Sequence, residues 1–229
     1  MHFDPKVAHH VIENGGKVIF PFGPPIYQNY MSDDLHGKLL RGAMNVRDEE
    51  HSHSDMLAGN LYFGSSHHYE WSVIDDVKAE LFEHLFAWFE FMHEGYGEKR
   101  LSFVPNNHAF DIKLTSLWVN FQRRYDFNPL HHHGGIVSFV SFLKVPEKIF
   151  EVQARSNTKA AGQLSFQYGE AISPLSATGW SVKPSDKLIL MFPATLNHFV
   201  PSFWADEERI SVSGNFHIMG EPTSSLTGI

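Results

Sequence analysis

The sequence predicts a mainly β, α+β fold: one domain over residues 1–229, with a helical N-terminal layer (1–100) packed on an antiparallel barrel or sandwich (101–229). Three observations predict it. After residue 101, short segments rich in Val, Ile, Phe and Trp alternate with turn residues, the pattern of many short paired strands. Before that point one long stretch repeats its apolar residues at steps of three and four, the period of a helix with a buried face. Finally, 229 residues fit one core with an added layer, and the second half has no long polar linker to divide it.

The elements follow in order. Residues 17–22 read as a strand stopped by Gly23, Pro24 and Pro25. Ser32 is placed to cap a short helix carrying Leu35, Leu39, Leu40 and Ala43. Residues 45–70 are polar and His-rich and read as irregular. The clearest helix comes next. Ile74, Val77, Leu81, Leu85, Trp88 and Met92 form its apolar stripe, and Phe82, Phe86 and Phe89 widen it. Asp75 and Asp76 sit near its start, and Gly95 and Gly97 end it. Strands are expected over 114–121, 136–145, 162–168, 180–182, 187–192 and 209–218.

Composition narrows the function. A net charge of −8, from 18 Lys+Arg against 26 Asp+Glu, leaves no broad basic surface for a phosphate backbone, so a nucleic-acid partner is not expected. With no cysteine, disulfides, thiolate ligands and thiol nucleophiles are excluded, and a metal must be held by His, Asp, Glu or backbone oxygen. No stretch approaches the roughly 20 apolar residues that span a bilayer, and the start, MHFDPKVAHHVIENGG, lacks the apolar run of a secretory signal. The expectation is a cytoplasmic protein with a peptide or small-molecule substrate and no membrane partner; a homodimer is compatible with it.

The strongest local signal is Asn128-Pro-Leu-His131-His132-His133-Gly134-Gly135, between two strand-like segments. On an extended chain, residues two apart share a side, so His131 and His133 can face one ion while His132 points away. His198, in Phe192-Pro-Ala-Thr-Leu-Asn-His198, is the candidate third ligand. Imidazole ligands with open positions suit an iron(II) ion that must also bind a co-substrate and O₂. Other pairs of the same spacing, His51/His53 with Asp55 and His2 with Asp4, read as surface features. Arg209 follows His198 by 11 residues, and alternation puts Arg209, Ser211 and Ser213 on one face of the last strand. A guanidinium fork with an adjacent hydroxyl suits a carboxylate. The competing reading pairs Arg209 with Glu207 or Glu208.

These pieces resemble a family. Trp118-Val-Asn120, the 128–133 run, Ser138-Phe-Val-Ser-Phe-Leu-Lys-Val-Pro146, 192–198 and Glu208-Arg209-Ile-Ser211 are similar to the 2-oxoglutarate- and Fe(II)-dependent oxygenases of marine phages and bacteria, as is Leu57-Ala-Gly-Asn60 upstream. The resemblance covers residue 17 to the end. It implies a double-stranded β-helix (jelly-roll) core, Fe(II), 2-oxoglutarate as co-substrate, and hydroxylation related to that of prolyl hydroxylases. It further implies that Arg209 and Ser211 hold the distal carboxylate, and that Asn120 and Gln122, on the strand before the histidines, hydrogen-bond the co-substrate. Tyr125 and Ser138 are weaker candidates, and Trp118, Phe139 and Phe142 read as core or pocket wall. One departure stands out: most such oxygenases carry His-X-Asp/Glu, whereas position 133 here is His. A three-His centre, a carboxylate from elsewhere with His133 behind the ligands, and an open position in the register His132-X-Gly134 all remain open. Iron binding is expected to weaken below pH of about 6.5, where a free imidazole protonates. Two other functions compete: a cupin-like three-His dioxygenase without 2-oxoglutarate, and a non-catalytic jelly-roll binding module.

Overall fold

The structure is a computed structural model that describes residues 2–3, 16–19, 23–47, 57–59, 61–96, 110–151, 160–170 and 177–219. In chain order the elements are β1 (His2–Phe3), β2 (Lys17–Ile19), β3 (Ile26–Tyr30), α1 (Asp33–Val46), β4 (Ser65–His68), α2 (Trp71–Tyr96), β5 (Phe110–Gln122), β6 (Asn128–His131), β7 (Val137–Lys144), α3 (Lys148–Glu151), β8 (Leu164–Gln167), β9 (Gly179–Val182), β10 (Leu188–Pro193), β11 (Asn197–Val200) and β12 (Arg209–Met219). The larger sheet runs β1-β5-β12-β7-β10-β3-β2, with β4 also on β5, and the smaller runs β6-β11-β8-β9. Every pairing among them is antiparallel. This two-sheet arrangement is the jelly roll that the sequence led us to expect.

Period-2 alternation sorts the central strands of the larger sheet into two faces. Val137, Phe139 and Leu143 of β7, Ile189 and Met191 of β10, and Ile210, Val212 and Phe216 of β12 join the core under the helices. Val140 and Phe142 of β7 and Leu188, Leu190 and Phe192 of β10 face the smaller sheet, among Leu164, Phe166, Val182 and Val200. Both faces are covered, so β7 is buried along all but its last residue, the small Ser138 and Ser141 included. β12 breaks the rule on one side only. Its inward positions are Arg209, Ser211 and Ser213, and the first two are 2% exposed. A polar row on an inward barrel face is uncommon and marks a site.

The helices follow their sequence signals. The Ser32 hydroxyl accepts the Leu35 N–H at 3.0 Å and caps α1. The stripe of α2 buries Val77, Leu81, Leu85, Trp88 and Met92 against the larger sheet. Gly95 does not end this helix, which runs to Tyr96. A tertiary face of this size overrides the weak helix propensity of one glycine. None of the helices among the described residues is long and apolar enough to cross a membrane.

The N-terminal 100 residues are not purely helical. They also supply β1–β4, which extend the larger sheet at both edges: β2 and β3 beyond β10, β1 and β4 along β5. The expected strand at 17–22 is described only as β2 over its first three residues. β4 lies inside the stretch expected to be irregular. Its sequence, Ser-Ser-His-His, has no apolar alternation, and it is a strand because β5 pairs with it, Ser66 opposite Asn120.

A buried polar chain ties this layer together. The Asn29 amide donates to the Tyr27 hydroxyl at 2.7 Å, and that hydroxyl donates in turn to His84 Nδ1 at 3.1 Å. His84 is 0% exposed, and burial pushes its pKa down to about 4, while burial pushes Tyr27 up to about 12. The imidazole is therefore neutral in the fold and protonates in the unfolded chain below pH of about 6.5. The sign follows: stability is complete above that pH and falls as acid is added, until the folded pKa is reached. Between pH 7 and pH 5 the parent should lose about 2 kcal/mol more than His84→Gln, which keeps an acceptor for Tyr27. Urea titrations of both proteins at the two pH values read this difference directly, and equal losses would remove His84 from the account.

Candidate metal centre and anion pocket

Strand register brings the histidines together. β6 and β11 are neighbours in the smaller sheet, and His131 lies directly opposite His198. Directly opposed residues have Cβ atoms about 4.5–5.5 Å apart, and here the ring centroids are 4.3 Å apart. His133 sits just past the end of β6, where its backbone N–H donates to the Ala194 carbonyl at 2.9 Å. Its ring lies 4.9 Å from that of His131 and 5.1 Å from that of His198. The donor atoms of the three fall within 4.8 Å of one another, a set that could hold one metal ion. His132 is exposed, as alternation predicts.

Backbone carbonyls select the ring tautomers. His131 Nδ1 meets the Pro129 carbonyl at 2.7 Å, and His198 Nδ1 meets the Leu196 carbonyl at 2.9 Å. A carbonyl only accepts, so both Nδ1 atoms carry the proton and both Nε2 atoms keep a free lone pair. Burial pushes His131 below the ordinary imidazole range, His133 to about 4 and His198 to about 3, with the neighbouring imidazoles adding to the effect. His133 and His198 are thus neutral, the form that binds a metal, well below the pH of about 6.5 expected from the sequence, and His131 is shifted in the same direction. The protonation limit on metal binding moves to lower pH.

Arg209 enters from the larger sheet, and the competing reading of it fails. Glu208 pairs with Arg47 at 2.6 Å and with Arg123 at 3.6 Å, and Glu207 pairs with Lys148 at 2.5 Å. The Arg209 guanidinium donates from Nη1 to the Gly162 carbonyl at 2.7 Å and lies 5.6 Å from the Phe142 ring centroid. Its Nε has no partner among the described residues. Burial lowers its pKa to about 10, which leaves it cationic at neutral pH. Among the described residues no carboxylate partners this buried cation, a setting that an anionic ligand would complete.

One cavity joins the two parts. His131, His133, His198, Arg209, Ser211 and Asn120 line it, as do Ser213, Trp118 and Phe142. Neutral imidazoles at one place and an incompletely bonded guanidinium at another fit a divalent cation together with an anionic co-ligand. Ser66 donates its hydroxyl to Asn120 Oδ1 at 2.7 Å, so the Asn120 amide is fixed by a residue with no signal in the sequence. Gln122 is buried, donates to the Asp126 carbonyl at 3.0 Å and stands outside the lining. Tyr125 sits at a left-handed corner (φ 72°) and is 47% exposed. Ser138 bonds Asn215 at 2.7 Å, and neither residue lines the cavity. Phe139 packs mainly in the core under the helices. His51, His53, Asp55 and Asp4 lie outside the described residues. Leu57, Gly59 and Asn128, which carried no assigned role in the sequence, also line the cavity, together with apolar residues that include Phe139 and Phe192.

Residues 116–215 match the model of a family described as "Putative 2OG-Fe(II) oxygenase". No curated protein sequence matches the chain. Among solved structures, a prolyl-4-hydroxylase of Pseudomonas putida superposes with a TM-score of 0.54 at 16% identity, over 85% of this chain and 93% of its own. The prolyl hydroxylase of Trichoplax adhaerens, solved with a hypoxia-inducible-factor peptide fragment, gives 0.53 at 14%, over 95% and 89%. HygX of Streptomyces hygroscopicus, solved with nickel, 2-oxoglutarate and hygromycin B, gives 0.54 at 8%, over 89% and 90%. At these identities the likeness is one of fold.

Proposed function

We propose, from the match of residues 116–215 to a 2-oxoglutarate/Fe(II) oxygenase family model, that this chain is a dioxygenase that hydroxylates a peptide or small-molecule substrate. In this reading His131, His133 and His198 hold the iron, and Arg209 with Ser211 holds the distal carboxylate of 2-oxoglutarate. The observation that carries it is the buried Arg209 guanidinium, lining the same cavity as the three imidazoles and bonded only to a carbonyl among the described residues. A cupin-like dioxygenase without 2-oxoglutarate would leave that cation uncompensated. A non-catalytic binding module would have no use for three clustered imidazoles beside it, two of them held in one tautomer.

Fe(II), when bound with 2-oxoglutarate and O₂, supplies the oxidation that places one oxygen atom in a substrate C–H bond and the other in succinate as CO₂ leaves. The chain's own residues prepare for this. The Pro129 and Leu196 carbonyls hold the Nδ1 protons and aim Nε2 lone pairs of His131 and His198 at one point. Arg209 and Ser211 offer donors to a carboxylate at the far end of the cavity. Ser66 occupies Asn120 Oδ1, which leaves the Asn120 NH₂ as the donor available to the co-substrate. Phe142 and Phe192 wall the site with apolar surface, which lowers the local dielectric and strengthens each of these contacts.

Arg209→Ala should weaken 2-oxoglutarate binding by about two to three orders of magnitude, since breaking a buried charged pair costs roughly 3–5 kcal/mol. Anaerobic calorimetry with the iron-loaded protein measures it, and an unchanged affinity would remove the clamp role. The imidazoles have their own check, read as iron(II) affinity by chelator competition. His131→Ala, His133→Ala and His198→Ala should each lose iron, whereas His132→Ala should match the parent. Iron retained in His133→Ala would put His133 behind the ligands and leave the third position to another group.

A further inference from the structure

We infer that Gly59 and Asn128 form a backbone brace that positions the His131 imidazole; the inference rests on the proposed role of His131 as a metal ligand. The short described segment 57–59 lies against that ring. A Cβ built on Gly59 would stand 2.5 Å from His131 Cε1, 2.7 Å from Nε2 and 2.9 Å from Nδ1. All three distances are below any normal carbon contact, and they are so nearly equal that the Gly59 Cα must face the flat of the ring, over Cε1 between the two nitrogens. Only hydrogen on this α-carbon allows the backbone so near.

Asn128 holds the segment there. Its side-chain amide donates to the Gly59 carbonyl, and Asn128 belongs to β6, the strand that ends in His131. Brace and ring therefore hang from one strand three residues apart. Just beyond, the buried Asp126 carboxylate accepts the Tyr62 and Phe63 N–H groups at 3.1 and 2.6 Å and the Arg123 N–H at 2.9 Å. These bonds tie residues 62–63 to the turn that leads into β6. The other sides of the ring are also occupied, by the Pro129 carbonyl on Nδ1 and by the rings of His133 and His198.

The consequence separates position from folding. The atoms that a new Cβ would meet are the far end of one side chain, not backbone. The fold can yield by turning the His131 ring, and that turn displaces Nε2 from the other two donors. Gly59→Ala should thus keep the thermal midpoint of the metal-free protein and lose metal affinity by about 10- to 100-fold, the usual effect of disturbing a group that orients a ligand. Gly179→Ala is the control, since a Cβ there meets only ordinary contact at 3.8 Å.

The test is iron(II) affinity by anaerobic chelator competition, with the full chain, alongside thermal melts without metal. Five proteins are compared: parent, Gly59→Ala, Asn128→Ala, the double variant and the control Gly179→Ala. Releasing the Asn128 bond lets the substituted backbone at position 59 retreat from the ring, so the double variant should bind iron several-fold more tightly than Gly59→Ala alone. Equal iron affinity in parent and Gly59→Ala, or a double variant weaker than both single variants, would overturn the brace. A parent that binds no iron would instead overturn the metal site itself, a different failure with a different signature.

Discussion

A guanidinium buried in a barrel with one carbonyl bond is the constraint around which this molecule is arranged. Arg209 is 2% exposed, and its carboxylate neighbours in sequence are engaged by Arg47, Arg123 and Lys148. A cation in that position is tolerable only if the fold holds it firmly and an anion completes it. The first condition is met by strand order. β12 lies between β5 and β7 in the larger sheet and pairs with β5 from Arg209 to Met219 and with β7 from Ile210 to Phe216. A shift of one residue would turn Arg209 and Ser211 into the apolar core under the helices and bring Ile210 and Val212 into the cavity. The hydrophobic pattern of β12 thus fixes where the charge points.

The smaller sheet contributes the other half. His131 and His198 are 67 positions apart in sequence and face each other across one antiparallel pair, so a single register sets their separation. Arg209 and the imidazoles come from different sheets, and the cavity is the gap between them. A ligand that touches both must bridge the sheets. The apolar residues between them, Phe142, Leu190, Phe192 and Phe166, surround the gap with low-dielectric material, and that makes every polar group in it more consequential.

What was legible in the sequence was whatever alternation or spacing could carry. The His131/His133 pair, His198 and the Arg209-X-Ser211 row could be read because each depends on side-chain direction along one extended segment. The long strands could be read for the same reason. Illegible were contacts made by tertiary pairing. β4 is Ser-Ser-His-His, a strand only because β5 lies beside it, and through it Ser66 reaches Asn120. β11 is four residues long and exposes Asn197, and β3 hides behind two prolines with a polar centre, Gln28 and Asn29. Gln122 shares its strand face with Asn120 yet ends in the turn to Asp126, because the cavity stops before the strand does. Gly59 carried only the family likeness of its segment Leu57-Ala-Gly-Asn60: neither alternation nor spacing marks it, and only the placement of His131 reveals why a side chain cannot stand there.

The departure at position 133 gains a physical meaning from these placements. On the proposed assignment the metal is held by three neutral rings, each kept neutral by burial. A carboxylate in place of His133 would cancel one unit of the ion's charge within the protein. Three imidazoles cancel none, so the divalent ion and the Arg209 cation share a narrow cavity with no fixed anion among its lining residues. In a low-dielectric space such like charges repel, and neither is well tolerated alone. A dicarboxylate that reaches both relieves the two strains together, leaving one net positive charge. Its affinity and that of the metal are then linked, and linkage is reciprocal: whatever factor the anion adds to metal binding, the metal adds to anion binding. The neutral ligand set thereby makes the co-substrate part of what holds the metal, and a protein of this design takes up both more readily than it takes up either.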